Sequence, residues 1–268
     1  MLKKLAALTV LAISGSTFLI FPDSSVPAQD ELAVFKGNYC VTCHARASDL
    51  AQSNRYFQWH SSLHREQGVG CEKCHGGDPT LADKKSAHAG VLHPDNAGSR
   101  LHPKNLPDTC NACHQAVVSS FIESRHFQQL KGSGLGPSCS TCHVHMGSDV
   151  ITSPDDTATL CATCHNSPNA LLPKRPEVPG KAGEAMQALR RASSVVAWAD
   201  RLIEDAQNKK VNVSDEEREL KIVHAMLKEA RTGWHVFNPD VARRKADAAF
   251  EAGTKVKDAL RNKLYPQQ

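Results

Sequence analysis

All ten cysteines of this 268-residue chain fall in one five-residue pattern, used five times. The copies are Cys40-Val-Thr-Cys43-His44, Cys71-Glu-Lys-Cys74-His75, Cys110-Asn-Ala-Cys113-His114, Cys139-Ser-Thr-Cys142-His143 and Cys161-Ala-Thr-Cys164-His165. C-x-x-C-H is the attachment pattern of c-type haem. The two thiols add across the haem vinyl groups as thioethers, and the histidine that follows is held beneath the iron as proximal ligand. Zinc ribbons and disulfides also use paired C-x-x-C, but neither demands a histidine directly after the second cysteine. With 14 histidines in 268 residues, five such coincidences have a chance below about one in a million. The expectation is five covalently bound haem c groups on these ten thiols, with His44, His75, His114, His143 and His165 on the irons.

That cofactor load explains an otherwise thin composition. Aromatic residues make up 5% of the chain, and glycine and proline are frequent. The segment from Asp30 to about Pro179 can hardly bury a core from its own side chains, and porphyrin supplies the missing apolar surface. Ahead of it, Lys3 and Lys4 precede an apolar stretch from Leu5 to Phe21, then Val26-Pro27-Ala28. This pattern predicts a secretory signal over residues 1–28, with a retained membrane anchor as the alternative. Covalent haem attachment takes place outside the cytoplasm, so the expected location is the periplasm. Loss of Lys3, Lys4 and Asp23 leaves a charge of +3 from the +4 of the whole chain. Two propionates per haem, set against one net ferric charge, then make the oxidised holoprotein acidic, which argues against a nucleic-acid partner.

A proline-rich joint, Asn166 through Pro168, Pro173, Pro176 and Pro179, divides the chain. It ends a cofactor-bearing domain at 29–180. Beyond it no cysteine occurs and the pattern turns helical. Met186, Leu189, Ala192, Val196, Ala199, Ile203 and Ala206 share one face. Ser214 with Glu217 reads as a capping box, followed by a seam of Leu220, Val223, Leu227, Ala230, Trp234 and Phe237. Asn238-Pro239 restarts a helix with Val241, Ala249, Val256, Leu260 and Leu264 inward. The expected fold is therefore mainly α with much irregular structure: a multihaem domain plus a helical hairpin or bundle at 181–268. Within the first domain, 49–67 and 111–130 look most helical. The bundle is expected to dock on the haem domain, to mediate a homo-oligomer, or to donate an iron ligand.

The second axial ligand decides what each iron can do, because an iron with two imidazoles is saturated and an open one binds substrate. Nine histidines lie outside the five patterns. Three share the word Ser-x-His: Ser62-Leu63-His64, Ser86-Ala87-His88 and Ser124-Arg125-His126. His64, His88 and His126 are the favoured second ligands, with His145 as a fourth. His60, His93, His102 and His235 are weaker candidates, and His224, beside the helical seam, reads as structural.

The runs Trp59-His60-Ser61-Ser62-Leu63-His64 leading to Cys71–His75, and Phe121–His126 leading to Cys139–His143, resemble the multihaem cytochromes c. That lineage includes membrane quinol dehydrogenases, hydroxylamine oxidoreductase and ammonia-forming nitrite reductase. The resemblance covers about Tyr39 to Asn166 and implies closely packed haems forming a path for electrons. The chain departs from the nitrite reductases, whose catalytic site usually replaces the proximal histidine by lysine; all five patterns here end in histidine. The resemblance implies an electron carrier, more readily than an enzyme, working with redox partner proteins. A quinol-linked donor and a terminal reductase or extracellular conduit are the expected partners. A small reductase of nitrogen or sulfur oxyanions with one open haem, or a membrane-anchored quinol dehydrogenase subunit, is the alternative.

Overall fold

The computed structural model describes residues 33–144 and 149–266. The expected signal at 1–28 and the candidate ligand His145 lie outside the described residues. Ala33–Phe35 form a short 3-10 turn in the N-terminal unit, and a second unit begins at Gly37. That second unit is taken up below.

The first half of the second unit is a string of short helices: α1 (Tyr39–His44), α2 (Leu50–His60), α3 (Leu63–Glu66), α4 (Cys71–His75), α5 (Lys84–Ala87), α6 (Leu106–Asn111), α7 (Gln115–Ile122), α8 (Arg125–Lys131) and α9 (Cys139–Cys142). Helices of one to three turns are marginal by themselves. Caps and side-chain ties hold them. Asn38 caps α1, Ser62 caps α3, Asp83 caps α5 and Ser124 caps α8, each accepting a first-turn backbone N–H. The buried Trp59 indole donates to the Val69 carbonyl at 2.8 Å, which ties α2 to the loop before α4. Lys104 and Lys131 donate to each other's backbone, lacing the end of α8 to the loop before α6. From Gly37 to Asn166 the buried apolar side chains among the described residues are only Val41, Trp59, Pro107, Val118, Phe121 and Leu130.

A two-residue strand, β1 (Asp149–Val150), pairs antiparallel with His143 and Val144. It leads to α10 (Pro154–His165), capped by Ser153, with Asp155 and Asp156 in the first turn where the helix dipole favours negative charge.

The bundle has the opposite character. Its helices are α11 (Glu177–Asn208), α12 (Ser214–Gly233) and α13 (Pro239–Leu264), with a 3-10 turn at Trp234–Val236 between the last two. The proline-rich joint is shorter than its sequence implies, because Pro179 already lies inside the first turn of α11, where its missing N–H costs nothing. The expected apolar faces are inside. Ala192, Val195, Val196, Ala199, Leu202, Val223, Leu227, Ala249, Val256 and Leu260 form one cluster. Ile203 and Leu264 are partly buried against it. The Ser214–Glu217 capping box does not form; Val213 stands at the cap and the Asn212 side chain takes the Ser214 N–H instead. Asn238 does cap α13, with Pro239 as its first residue.

Two glycines set close approaches. A Cβ at Gly253 of α13 would lie 2.9 Å from a Val195 methyl of α11. A Cβ at Gly183 of α11 would lie 3.1 Å from the Pro154 carbonyl at the start of α10. The second contact seats the bundle on the helix that carries the fifth cysteine pattern.

Candidate functional site

Each of the five patterns occupies a helical turn. The first fills most of α1, the second is α4, the fourth is α9 with His143 at its C-terminal end, and the fifth closes α10. The third begins in α6 and continues through a turn in which the Cys113 and His114 N–H groups both donate to the Cys110 carbonyl. In a helical turn, residues three and four apart share a face. The two thiols and the histidine of one pattern therefore project to the same side.

The patterns are also neighbours in chain order. Cys40 acts electrostatically on Cys71, Cys74 is within reach of Cys110 and Cys113, Cys110 hydrogen-bonds Cys139, and Cys142 is within reach of Cys161. Asn38 bridges the first two patterns through Glu72 at 3.1 Å, and Arg100 donates to the Lys73 carbonyl of the second. No disulfide joins the ten cysteines, and among the described residues no three His, Cys, Asp or Glu side chains are grouped to hold one metal ion.

Four of the five proximal rings face a second histidine. Ring centroids are 6.1 Å apart for His44 and His88, 6.2 Å for His114 and His64, 6.0 Å for His165 and His126, and 6.3 Å for His143 and His235. Two metal–nitrogen bonds of about 2.0 Å, each extended by a ring radius of about 1.1 Å, put opposed imidazole centroids about 6.2 Å apart. The four gaps have the width of one coordinated iron.

Polar atoms around these rings fit the same group. The His88 Nδ1 faces the Lys84 carbonyl at 2.7 Å, and the His235 Nδ1 faces the carbonyls of Arg231 at 3.1 Å and Thr232 at 3.3 Å. A carbonyl can only accept, so Nδ1 carries the proton and Nε2 is left with its lone pair for a metal. His102 is arranged the other way: its Nδ1 accepts the Lys104 N–H, the tautomer that places the proton on Nε2, while the Nδ1 of the exposed His93 lies 3.3 Å from the Asp95 carboxylate. The buried Nδ1 atoms of His126 and His165 have no hydrogen-bond partner among the described residues, the sort of orphan that a cofactor site leaves.

Burial favours the neutral imidazole, the form a metal ligand needs, at five of the paired rings. It lowers the pKa of His44, His64, His143 and His235, and holds His126 down to about 4. The second ring of each pair adds to the lowering at His44, His64, His126 and His143.

His64, His88 and His126, singled out by Ser-x-His, each stand opposite a proximal ring. The word itself has two structural meanings. Ser62 and Ser124 are helix caps that place the histidine in the first turn, whereas Ser86 lies inside α5 and bonds the Asp83 cap. The ring opposite His143 is His235, from the turn after α12, which the sequence marks only by its setting in Trp234-His235-Val236-Phe237. His60 packs against Tyr56, and His224 is exposed and paired with Asp200 at 2.8 Å, so it is not at the seam. His75 is half-buried, and burial together with the nearby Arg55 guanidinium and the His44 ring lowers its pKa. Among the described residues no second histidine ring stands opposite it.

The family model described as "Cytochrome c554 and c-prime" matches residues 24–76. Among curated proteins, a C-type polyheme cytochrome OmcC of Geobacter sulfurreducens is 27% identical, over 47% of this chain and 20% of its own length. C-type polyheme cytochrome OmcB of the same species is 31% identical, over 47% of this chain and 19% of its own. The chain thus spans about a fifth of the length of these relatives. No solved structure matches it at a significant level.

Proposed function

The chain belongs to the multihaem c-type cytochromes and carries covalent haem c, and on that premise we propose that it is an exported five-haem electron carrier. The observation that carries this reading is the set of four histidine pairs at 6.0–6.3 Å. When bound, haem supplies an iron that cycles by one electron between its ferric and ferrous forms. The protein's own residues do the rest. The ten cysteines fix position and order, so that attachment sites follow one another from Cys40 to Cys164. His44, His75, His114, His143 and His165 hold one face of each iron. His64, His88 and His126, with the pair to His143, would hold the opposite side of four, so that those irons would carry electrons rather than bind a substrate. The carbonyls behind His88 and His235 keep Nε2 free of its proton, and the patchwork of caps holds each ring in place. Electrons would enter from a quinol-linked donor and leave to a terminal reductase or an extracellular conduit, outside the cytoplasm.

The ring of His75 favours a second reading. Without a histidine opposite among the described residues, and with Arg55 as a nearby charge, this site would suit a small reductase of nitrogen or sulfur oxyanions, with Arg55 attracting the anion. A membrane-anchored quinol dehydrogenase subunit would depend on the N-terminal segment outside the described residues.

The test is the intact mass and spin state of the oxidised holoprotein. The expected mass is the processed chain plus five haems that acid acetone does not extract. Release of haem into acid acetone contradicts the covalent reading. Low-spin iron throughout supports the carrier, and high-spin iron at the Cys71–His75 site supports the reductase.

A further inference from the structure

We infer that His235 is the second axial ligand at the Cys139–Cys142–His143 site, so that the C-terminal bundle is part of the cofactor machinery. The inference rests on the reading that this pattern holds haem, and goes beyond it by assigning a ligand from outside the cysteine-bearing half of the chain.

Three independent features converge on this residue. The His235 ring lies 6.3 Å from the ring of His143 with only 20° between their planes. Its Nδ1 faces two backbone carbonyls at the end of α12, which fixes the proton there and leaves Nε2 for the metal. The turn that presents it is clamped on both sides. Phe237 adopts a left-handed conformation (φ 58°, ψ 40°) and packs edge-on against His126 at 4.4 Å and Phe121 at 6.0 Å. The next residue, Asn238, is already the cap of α13. A left-handed aromatic residue is costly and persists only where its surroundings over-determine it. Here those surroundings include His126, a ring of the neighbouring site. One turn of the bundle thus braces two adjacent sites, as a ligand at one and as an aromatic prop at the other.

The ring planes give the inference its own signature. The other three pairs are tilted by 51°, 65° and 50°. In low-spin ferric haem, near-parallel axial imidazoles split the iron d orbitals rhombically, and more crossed planes reduce that splitting. The His143–His235 site should therefore be the one that gives a well-resolved rhombic signal in electron paramagnetic resonance, with the others shifted to larger g-max.

The experiment compares oxidised holoprotein of wild type, His235→Ala and His224→Ala, the last a bundle histidine with only a surface partner. Wild type should show one rhombic low-spin signal, and its absence overturns the inference. His235→Ala should lose that signal alone, gain one high-spin site, and recover low spin when imidazole is added. His224→Ala should leave all signals in place. Retention of the rhombic signal in His235→Ala overturns the inference. Should His235→Ala fold poorly, His235→Met keeps the test open: a bound thioether raises that site's potential, and an unchanged potential overturns the assignment. Haem mass on the tryptic peptide of Cys139 and Cys142 separates the two levels of failure, since a bare peptide removes the underlying reading whatever the ligand.

Discussion

At the scale of single residues, the tautomer of an imidazole separates the histidines that can hold a metal from those that merely lie nearby. His88 and His235 donate from Nδ1 to carbonyls, while His102 accepts at Nδ1 from a backbone N–H and the exposed His93 sits beside the Asp95 carboxylate. We predict that His64→Ala, His88→Ala and His126→Ala each convert one site to high spin, measured by magnetic circular dichroism. His93→Ala and His102→Ala should leave the spectrum unchanged; a high-spin signal from His102→Ala would reverse the tautomer argument. Gly77 offers a second probe of His88. It sits at φ +82°, and a Cβ there would be 2.4 Å from the Ala87 carbonyl, the residue before His88. Gly77→Val should push α5 away and produce the same high-spin site as His88→Ala, although residue 77 touches no iron. The five C-x-x-C-H patterns were fully legible in the sequence because attachment is a local geometry. Ser-x-His singled out three histidines that each stand near a proximal ring, for a partly accidental reason, since in two of three cases the serine is a helix cap. His235 was weakly legible because its pairing with His143 is a tertiary fact that no spacing encodes.

At the scale of elements, two kinds of helix are held by different forces. The short helices of the first half depend on caps. Ser124 accepts the Phe127 N–H at 3.0 Å and is buried, so Ser124→Ala should cost about 1 kcal/mol. It should also loosen His126, two residues on, which would show as partial high-spin character at that site. The bundle depends on packing. Leu260 is fully buried, and Leu260→Ala should destabilise the bundle by about 2–5 kcal/mol in denaturant titration, with covalent haem unaffected. A loss within ±0.5 kcal/mol, as at a surface position, would mean that the α11–α13 interface is not where the stability lies. The apolar faces of these helices were readable from their periodicity. The start of α12 was not, because Asn212 supplies a turn that competes with the box expected of Ser214 and Glu217, and local turn chemistry won.

At the scale of the whole molecule, the division of labour follows from where apolar area resides. The cysteine-bearing half buries six apolar side chains among the described residues, and the bundle buries many more. Haem bound to the folded state alone stabilises it, so apoprotein should lose cooperative unfolding of that half while the bundle keeps its helicity. Circular dichroism of a Cys-to-Ser apoprotein would check this, and a cooperative transition equal to that of the holoprotein would contradict it. The composition already hinted at a half without a core, but it could not say that the bundle reaches back through His235 and Phe237 to the rings of His143 and His126. The most direct test of the central claim is the number and spin state of the irons in one preparation, by intact mass together with spin quantitation of the oxidised holoprotein. The account predicts five covalent haems, at least four of them low-spin with two imidazoles. Fewer than five haems, or two or more high-spin irons, would contradict it.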